Sequence, residues 1–439
     1  MDLRAYFEGK KITVMGLGLL GRGVGDAEFL ASMGADLVVT DLKSAEELAP
    51  SVARLASFPN VSLVLGEHRL EDFQGRDFVL KAAGVPLDSA HIREARQNGI
   101  PVKMSASWFM ELAGLPAIGV TGTRGKSTVT HMIHAILKEA GWPVLLGGNV
   151  RGVSTLSLLA EATPEHVALF ELDSWQLQGF GDARRSPDIA VFTTLLSDHM
   201  NYYKDDMDAY LADKANIFLY QDLEDTLVLG SQCAELVEEK YGERIKAHRV
   251  VAGAHDFRAD WTLKVPGEHN RYNAALATEA ARALEIGDDA IKAALEAFEG
   301  VPGRLALVRD IDGIAFYNDT TATTPDATLA ALESMALEGR PVVLIMGGSD
   351  KGLDTGALMK AVPERAKHVS LLAGTGTERI KEALPDAPVF ASLADAVADA
   401  VSHAAPGDAV LLSPGFASFG MFKNEYDRGD QFNALVKAL

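Results

Sequence analysis

Ala117-Ile-Gly-Val-Thr-Gly-Thr-Arg-Gly-Lys-Ser-Thr-Val-Thr130 is the stretch whose reading decides the fold. An apolar run from Ala117 to Val120 breaks into Thr121-Gly122-Thr123-Arg124-Gly125-Lys126-Ser127-Thr128 and then takes on a helical pattern. Glycines let the backbone N–H groups of such a loop turn inward around an anion, and the helix that follows adds the positive end of its dipole. Lys126 reaches the terminal phosphates of a nucleotide, and Ser127 holds the magnesium that travels with ATP. Gly122, Thr123, Arg124, Gly125 and Thr128 complete the cradle. The strict nucleotide-binding pattern wants a glycine five positions before Gly125, where Val120 stands, with Gly119 one step further back. Strand, glycine pair, Lys-Ser and helix nevertheless follow in order, which favours a phosphate cradle over an ordinary strand-to-helix turn.

Around this loop lie 439 residues, enough for about three domains. A content of 48% hydrophobic and 23% charged residues is that of a folded protein with large cores. The net charge of -20 argues against nucleic acid or an anionic membrane surface as partner. Any phosphate is therefore met by local donors and metal. Cys233 is the single cysteine, so no internal disulfide or cysteine-based zinc site forms, which fits a reducing cytoplasm. Residues 1–10 lack an apolar signal core, and no run approaches the ~20 residues of a membrane span. The expectation is a cytoplasmic protein with no membrane insertion.

Upstream of the cradle, Lys11-Ile-Thr-Val-Met15 runs into Gly16-Leu-Gly18-Leu-Leu-Gly21, a helical stretch to Met33 and a second strand, Asp36-Leu-Val-Val-Thr40. The G-x-G-x-x-G with Asp41 twenty residues after Gly21 matches a dinucleotide fingerprint. Alone it suggests NAD, yet such a fold binds any diphosphate nucleotide, and Lys43 adds a cation that an NAD ribose pocket does not require. Asp77–Leu80 and Pro101–Met104 complete a small parallel sheet. Downstream, Trp142–Leu146, His166–Glu171 and Asp188–Thr193 read as strands ending in polar residues, on the rim where open α/β sheets hold ligands. That rim gathers Glu171 and Ser197-Asp198-His199 beside Lys126. Asn270 and Asn273, three apart on one helix face, open an Ala-rich amphipathic helix through Leu284. A third alternation begins after Gly300-Val-Pro-Gly-Arg304, with strands at Ile314–Tyr317, Pro341–Met346 and Asp408–Leu412.

The ordered set resembles the Mur ligases, the ATP-dependent enzymes that join amino acids to the cell-wall precursor. It comprises Thr121-Gly-Thr-x-Gly-Lys-Ser, Glu171 with Gln176, Asp198-His199, Lys214, Gly267-Glu-His-Asn270, Arg304, Asn318-Asp319, Gly347-Gly-x-x-Lys351 and Leu412-Ser-Pro-Gly-Phe-Ala-Ser418 through Arg428-Gly. The resemblance implies an α/β fold of three domains: Rossmann-like over 1–105, P-loop ATPase-like over 106–300, and Rossmann-like again over 301–439. It implies transfer of the ATP γ-phosphoryl group to a carboxylate, then attack of an amine on the acyl phosphate, joining D-glutamate to UDP-N-acetylmuramoyl-L-alanine. ATP and one or two Mg²⁺ are the implied cofactors, with Ser127, Glu171, His199 and Lys214 at the metal and Lys214 carbamylated. Lys126, His199, Lys214 and Asp319 take catalytic roles. Asn270, Asn273, Arg304 and Asp319 join the cradle around ATP. Gly18, Leu19, Asp41, Lys43, Asn149 and Gln176 meet the UDP precursor, and Thr323, Lys351 and Ser418 meet glutamate. The expected partners are these small molecules alone, and the expected state is a monomer.

The sequence departs from the family pattern at Arg124, where Asn is usual, at Asp173 for Ser, at Thr321 for Lys, and at Glu425 for an aromatic. Three alternatives stay open: a related ligase adding another amino acid such as L-glutamate, an NAD-dependent oxidoreductase using Gly16 to Gly21, and a nucleotide-regulated binding protein.

Overall fold

Short aliphatic strands that end in glycine or a small polar residue, each followed by a helix that carries the chain back, build parallel sheets. The structure is a computed structural model describing residues 2–18, 21–265, 267–337 and 339–439, with all their side chains except those of Met200 and Asn201. It contains three such sheets. The first comprises β1 (Lys11–Met15), β2 (Asp36–Asp41), β3 (Val61–Leu65), β4 (Phe78–Lys81) and β5 (Val102–Lys103), parallel in the order β3-β2-β1-β4-β5. This is the strand order of a dinucleotide-binding sheet. The second comprises β6 (Ala117–Thr121), β7 (Val144–Gly148), β8 (Val167–Glu171), β9 (Ile189–Phe192), β10 (Thr226–Gly230) and β11 (His248–Ala252), parallel in the order β11-β10-β9-β6-β8-β7. The chain leaves β6 toward one side and returns to its other side. The carboxyl end of β6 is thus a topological switch point, and the glycine loop sits on it.

The third sheet comprises β12 (Ala306–Ile311), β13 (Ile314–Asn318), β14 (Val342–Gly347), β15 (Ala366–Leu372), β16 (Val389–Phe390) and β17 (Ala409–Leu412), in the order β12-β13-β17-β14-β15-β16. Only β12 runs antiparallel, as a hairpin with β13. The α/β class read from the sequence is the class observed. The chain divides into two compact units, Met1–Asp256 with Asn273–Ala294, and Phe257–Tyr272 with Leu295–Leu439. Among the described residues no helix is long and apolar enough to cross a membrane.

Within the first unit the first two sheets share one core. It runs from Phe7 and Trp108 through Phe109, whose ring meets Phe170 edge-on at 5.6 Å, to the buried faces of β6, β8 and β9. A polar tie crosses the same seam. Asp26, on the helix Arg22–Ser32, accepts from Ser154 Oγ at 2.6 Å and from Ser105 Oγ at 2.8 Å, both on its Oδ1. Burial pushes the Asp26 carboxyl up to about 6, against the two hydroxyls that favour its charged form. In the second unit the sheet carries a core on each face, one around Leu332 and Met335, the other around Val397 and Phe432.

An acid whose proton is held more tightly in the folded chain stabilises that chain below its unfolded value, near pH 4, and the contribution is lost as pH rises through about 6. Asp26→Asn keeps Oδ1 as acceptor for both hydroxyls and never ionises. Its unfolding free energy relative to wild type is therefore expected to rise between pH 4 and pH 6.5 by about 3 kcal/mol and then level. A difference that does not vary with pH in denaturant titrations would contradict the assignment.

Candidate active site

The glycine loop owes its shape to positions that no side chain could occupy. Gly122 has φ +142° and lies against Thr193 and Thr194, and Thr123 N–H donates to Thr194 O at 2.7 Å. Gly125 has φ +86° and starts the helix Lys126–Glu139; a Cβ there would stand 2.5 Å from Asn273 Oδ1. Lys126 curls back over the loop, its Nζ donating to Gly122 O at 3.0 Å and Thr123 O at 3.1 Å. Lys214 arrives at the same oxygen from the helix Met207–Ala215: its Nζ donates to Gly122 O at 2.9 Å. Two lysine Nζ atoms therefore meet one carbonyl. Burial first, then the charge of Lys126, hold the Lys214 amine well below the ordinary lysine range, while Asp173, Asp198 and Asp213 oppose them. Gln178 Nε2 and Tyr203 Oη donate to Asp213 at 2.8 and 2.9 Å, which fixes the turn presenting Lys214.

Neighbouring strand ends supply the acids. Glu171, buried at the end of β8, pairs in register with Val120 of β6. Its Oε1 accepts from Asn149 Nδ2 at 3.2 Å, and Asn149 Oδ1 accepts from Arg22 of the first sheet's glycine-led helix. After β9, Asp198 pairs with Arg124 at 3.3 Å, and His199 stands at φ +56° with its ring on Trp175, 4.6 Å between centroids. Burial lowers the His199 imidazole against the pull of Asp198. Lys126, Glu171, His199 and Lys214 thus lie around one switch point. Ser127 is buried in the first helical turn, Thr128 half-buried beside it, and Asn273 packs on Gly125 while Asn270 is buried one turn earlier on the helix Glu268–Arg282.

At the carboxyl ends of β1 and β4 a cavity of about 260 Å³ is lined by Gly18, Arg22, Asp26, Asp41, Lys81 and Gln176, among others. Asp41 closes it from below: Oδ2 accepts from Leu17 N–H at 2.9 Å and Gly18 N–H at 3.1 Å, and Oδ1 from Lys43 N–H at 2.9 Å. The Lys43 side chain is exposed beyond it. Leu19 lies outside the described residues. Gln176 also forms a capping box, its Oε1 accepting from Asp173 N–H at 3.1 Å and its N–H donating to Asp173 Oδ1 at 2.7 Å.

In the second unit three loops converge at strand ends. Asp319 accepts from Leu305 N–H at 3.0 Å and Ser413 Oγ at 2.7 Å, and burial pushes its carboxyl up to about 7. Arg304, next to Leu305, is exposed. Lys351 Nζ donates to Thr323 Oγ1 at 3.0 Å beside Gly415 and Phe416, and Ser418 is buried one residue past the Ser349–Ala417 bridge.

Comparison with known proteins gives this arrangement a family. The Mur ligase middle domain matches residues 120–281, the glutamate ligase domain of Mur ligases residues 303–416, and the N-terminal domain of MurD-like Mur ligases residues 10–104. A UDP-N-acetylmuramoylalanine--D-glutamate ligase of Roseiflexus sp. (strain RS-1) is 37% identical over 466 residues, spanning 98% of this chain and 99% of that one. The chain belongs to the Mur ligase family. Solved folds agree: UDP-N-acetylmuramate-alanine ligase MurC from Thermotoga maritima has a TM-score of 0.63 at 19% identity, covering 98% of this chain and 99% of its own. MurF ligase from Thermotoga maritima, in complex with ADP, has a TM-score of 0.61 at 16% identity over 100% of both chains.

Three of the four departures from the Mur ligase pattern, Arg124, Asp173 and Thr321, have a local use in the structure. Arg124 pairs with Asp198. Asp173 caps the helix Ser174–Ala183. Thr321, where Mur ligases usually carry lysine, donates its hydroxyl to Gly303 O at 2.9 Å and its N–H to the same oxygen at 3.0 Å, tying down the turn that bears Arg304. Arg428, fully buried, donates to Thr320 O at 2.8 Å and Thr320 Oγ1 at 3.1 Å. Sequence reading passed over Lys81, Arg22 and Asp26. A charged residue closing the buried strand Phe78-Val-Leu-Lys81 was the signal available for Lys81.

Gly125→Ala combines a left-handed backbone with a Cβ against the Asn273 amide, whereas Gly114→Ala, at φ +61° with open space around it, carries the backbone cost alone. Both are expected to destabilise by about 1 kcal/mol, with Gly125→Ala losing a further ~1 kcal/mol or more to the contact. Equal unfolding midpoints for the two variants would contradict the packing described.

Proposed function

We propose that this chain is an ATP-dependent amide ligase that joins D-glutamate to UDP-N-acetylmuramoyl-L-alanine, a cytoplasmic step of peptidoglycan precursor synthesis, working as a monomer. The observation that carries the reading is the continuous path within the first unit. Arg22, Asn149 and Glu171 link the cavity at the first sheet to the loop where Lys126 and Lys214 meet on Gly122 O. A γ-phosphate and a carboxylate repel each other, and a reaction that joins them needs fixed positive charge at their meeting point. Lys126, at a helix N-terminus on a switch point, supplies it, and Lys214 packs against the same carbonyl beside it.

In the proposed sequence the cavity holds the UDP end of the precursor at Gly18 and Asp41, with Lys43 exposed just beyond, and Asn149 and Gln176 guide the muramoyl-peptide end. The loop from Gly122 to Thr128, with Asn270, Asn273, Arg304 and Asp319, holds ATP. The carboxylate oxygen attacks the γ-phosphorus, the bond to the β-phosphate oxygen breaks, and ADP leaves. Thr323, Lys351 and Ser418 hold the carboxylates of the amino acid. Its amine attacks the acyl carbon, loses a proton, and expels phosphate as the C–O bond breaks. The donors also suit Mg²⁺: Ser127 and the buried Glu171 offer hard oxygens, His199 a ring nitrogen, and Lys214 a carbamate oxygen once its amine, already disfavoured as ammonium, takes up CO₂. Bound there, the ion would add charge neutralisation for the triphosphate. Glu425, where the D-glutamate ligase pattern carries an aromatic, makes a ligase for another amino acid such as L-glutamate the second reading.

Phosphate release with ATP, Mg²⁺ and UDP-N-acetylmuramoyl-L-alanine, scanned over amino acids in both enantiomers, tests the reading. Release is expected to depend on D-glutamate, and Lys126→Ala to lower it by roughly 10³-fold or more. Preference for L-glutamate would move the chain to the second reading, and release indifferent to amino acid would sink ligation. Lys214→Ala is expected to regain part of its rate with a short-chain carboxylate, and failure of every such anion would count against the carbamate.

A further inference from the structure

The first sheet has its own switch point. From β1 the chain passes to β2 on one side and later to β4 on the other, so the crevice between the carboxyl ends of β1 and β4 is the place for a ligand. Gly16 to Gly18 form its β1 wall, and Lys81, paired in register with Met15, forms its β4 wall. Lys81 is only 1% exposed. Its Nζ donates to two neutral acceptors, Ala82 O at 3.1 Å and Ala83 O at 3.3 Å, and among the described residues no carboxylate forms an ion pair with it.

Fully buried lysines are rare unless paired, and an apolar residue of the same length would fill the position at no electrostatic cost. The acids lining the same cavity are already engaged. Asp41 takes three backbone N–H groups, and Asp26 takes two seryl hydroxyls. An ammonium buried in the wall of a ligand crevice, forming no ion pair with a carboxylate among the described residues, is arranged to receive an anion. We propose that Lys81 is a binding residue for the nucleotide-linked precursor, donating its ammonium to an anionic oxygen of that molecule, phosphoryl or carboxylate. The inference rests on the proposed function, which places that precursor in this cavity.

The charge environment agrees with this role. Burial lowers the Lys81 ammonium to about 8; Asp173, Asp182 and Asp213 favour the charged form and Arg96 opposes it, and Arg22, Asp26 and Asp41 line the cavity around it. An arriving anion restores the proton, so binding near pH 8 takes one up from solvent.

Calorimetric titration of the full chain with UDP-N-acetylmuramoyl-L-alanine and with UDP alone, using wild type, Lys81→Met and Lys81→Gln, tests this. Both variants are expected to bind the precursor at least tenfold more weakly, to show a raised KM for it with kcat less affected, and to bind ATP as wild type does. A parallel loss for UDP identifies a phosphoryl oxygen as the partner; a loss confined to the precursor identifies the carboxylate. Wild-type affinity in both variants overturns the proposal. If neither variant folds, proton uptake by wild type, read from titrations between pH 7 and pH 9.5 in buffers of different ionisation enthalpy, decides: uptake within that range supports Lys81, and none at any pH in it overturns the proposal. Wild type that binds ATP but neither UDP nor the precursor would overturn the proposed function itself.

Discussion

Two lysine Nζ groups donating to the carbonyl oxygen of Gly122 are the arrangement on which the rest of the first unit depends. Like charges so close repel, and burial adds to the cost of the inner one. The fold holds them there through elements far apart in sequence. Lys126 is placed by a glycine loop that no side chain could enter, and Lys214 by a helix anchored through Asp213 to Gln178 and Tyr203. A pair of lysines kept in place by so much packing suits a site where substrates bring anions.

The same logic extends along the chain. The switch point of the second sheet gathers Glu171 and His199 beside the lysines, and that of the first gathers Arg22, Asp41 and Lys81 around a cavity. A shared apolar core and the Asp26 contacts to Ser105 and Ser154 hold these two sheets as one unit, so the two sites are fixed in mutual position. In the second unit Asp319 joins the ends of β13 and β17 to the turn bearing Arg304, and Thr321 ties that turn a second time.

Much of this was legible in the sequence because the relevant chemistry is local. A glycine loop is written in consecutive residues, and a buried parallel strand is a continuous apolar run that stops at its functional end, as Ala117–Thr121 and Val342–Gly347 do. Val61–Leu65 and His248–Ala252 escaped notice because they are edge strands, half-exposed and mixed in polarity; Ala366–Leu372 carries Lys367, His368 and Ser370 in its run. Asp26 and the Thr321 tether were illegible for a different reason. Their significance lies in partners 18 to 128 residues away, and no local pattern encodes that.

If the lysine pair exists to let a γ-phosphate and a carboxylate meet, the oxygen that bridges them must travel with the phosphate. The direct measurement is turnover of UDP-N-acetylmuramoyl-L-alanine labelled with ¹⁸O in its terminal carboxylate, with mass analysis of the inorganic phosphate released. The account predicts one labelled oxygen in each phosphate formed. Unlabelled phosphate, with three oxygens from ATP and the fourth from solvent, would contradict it.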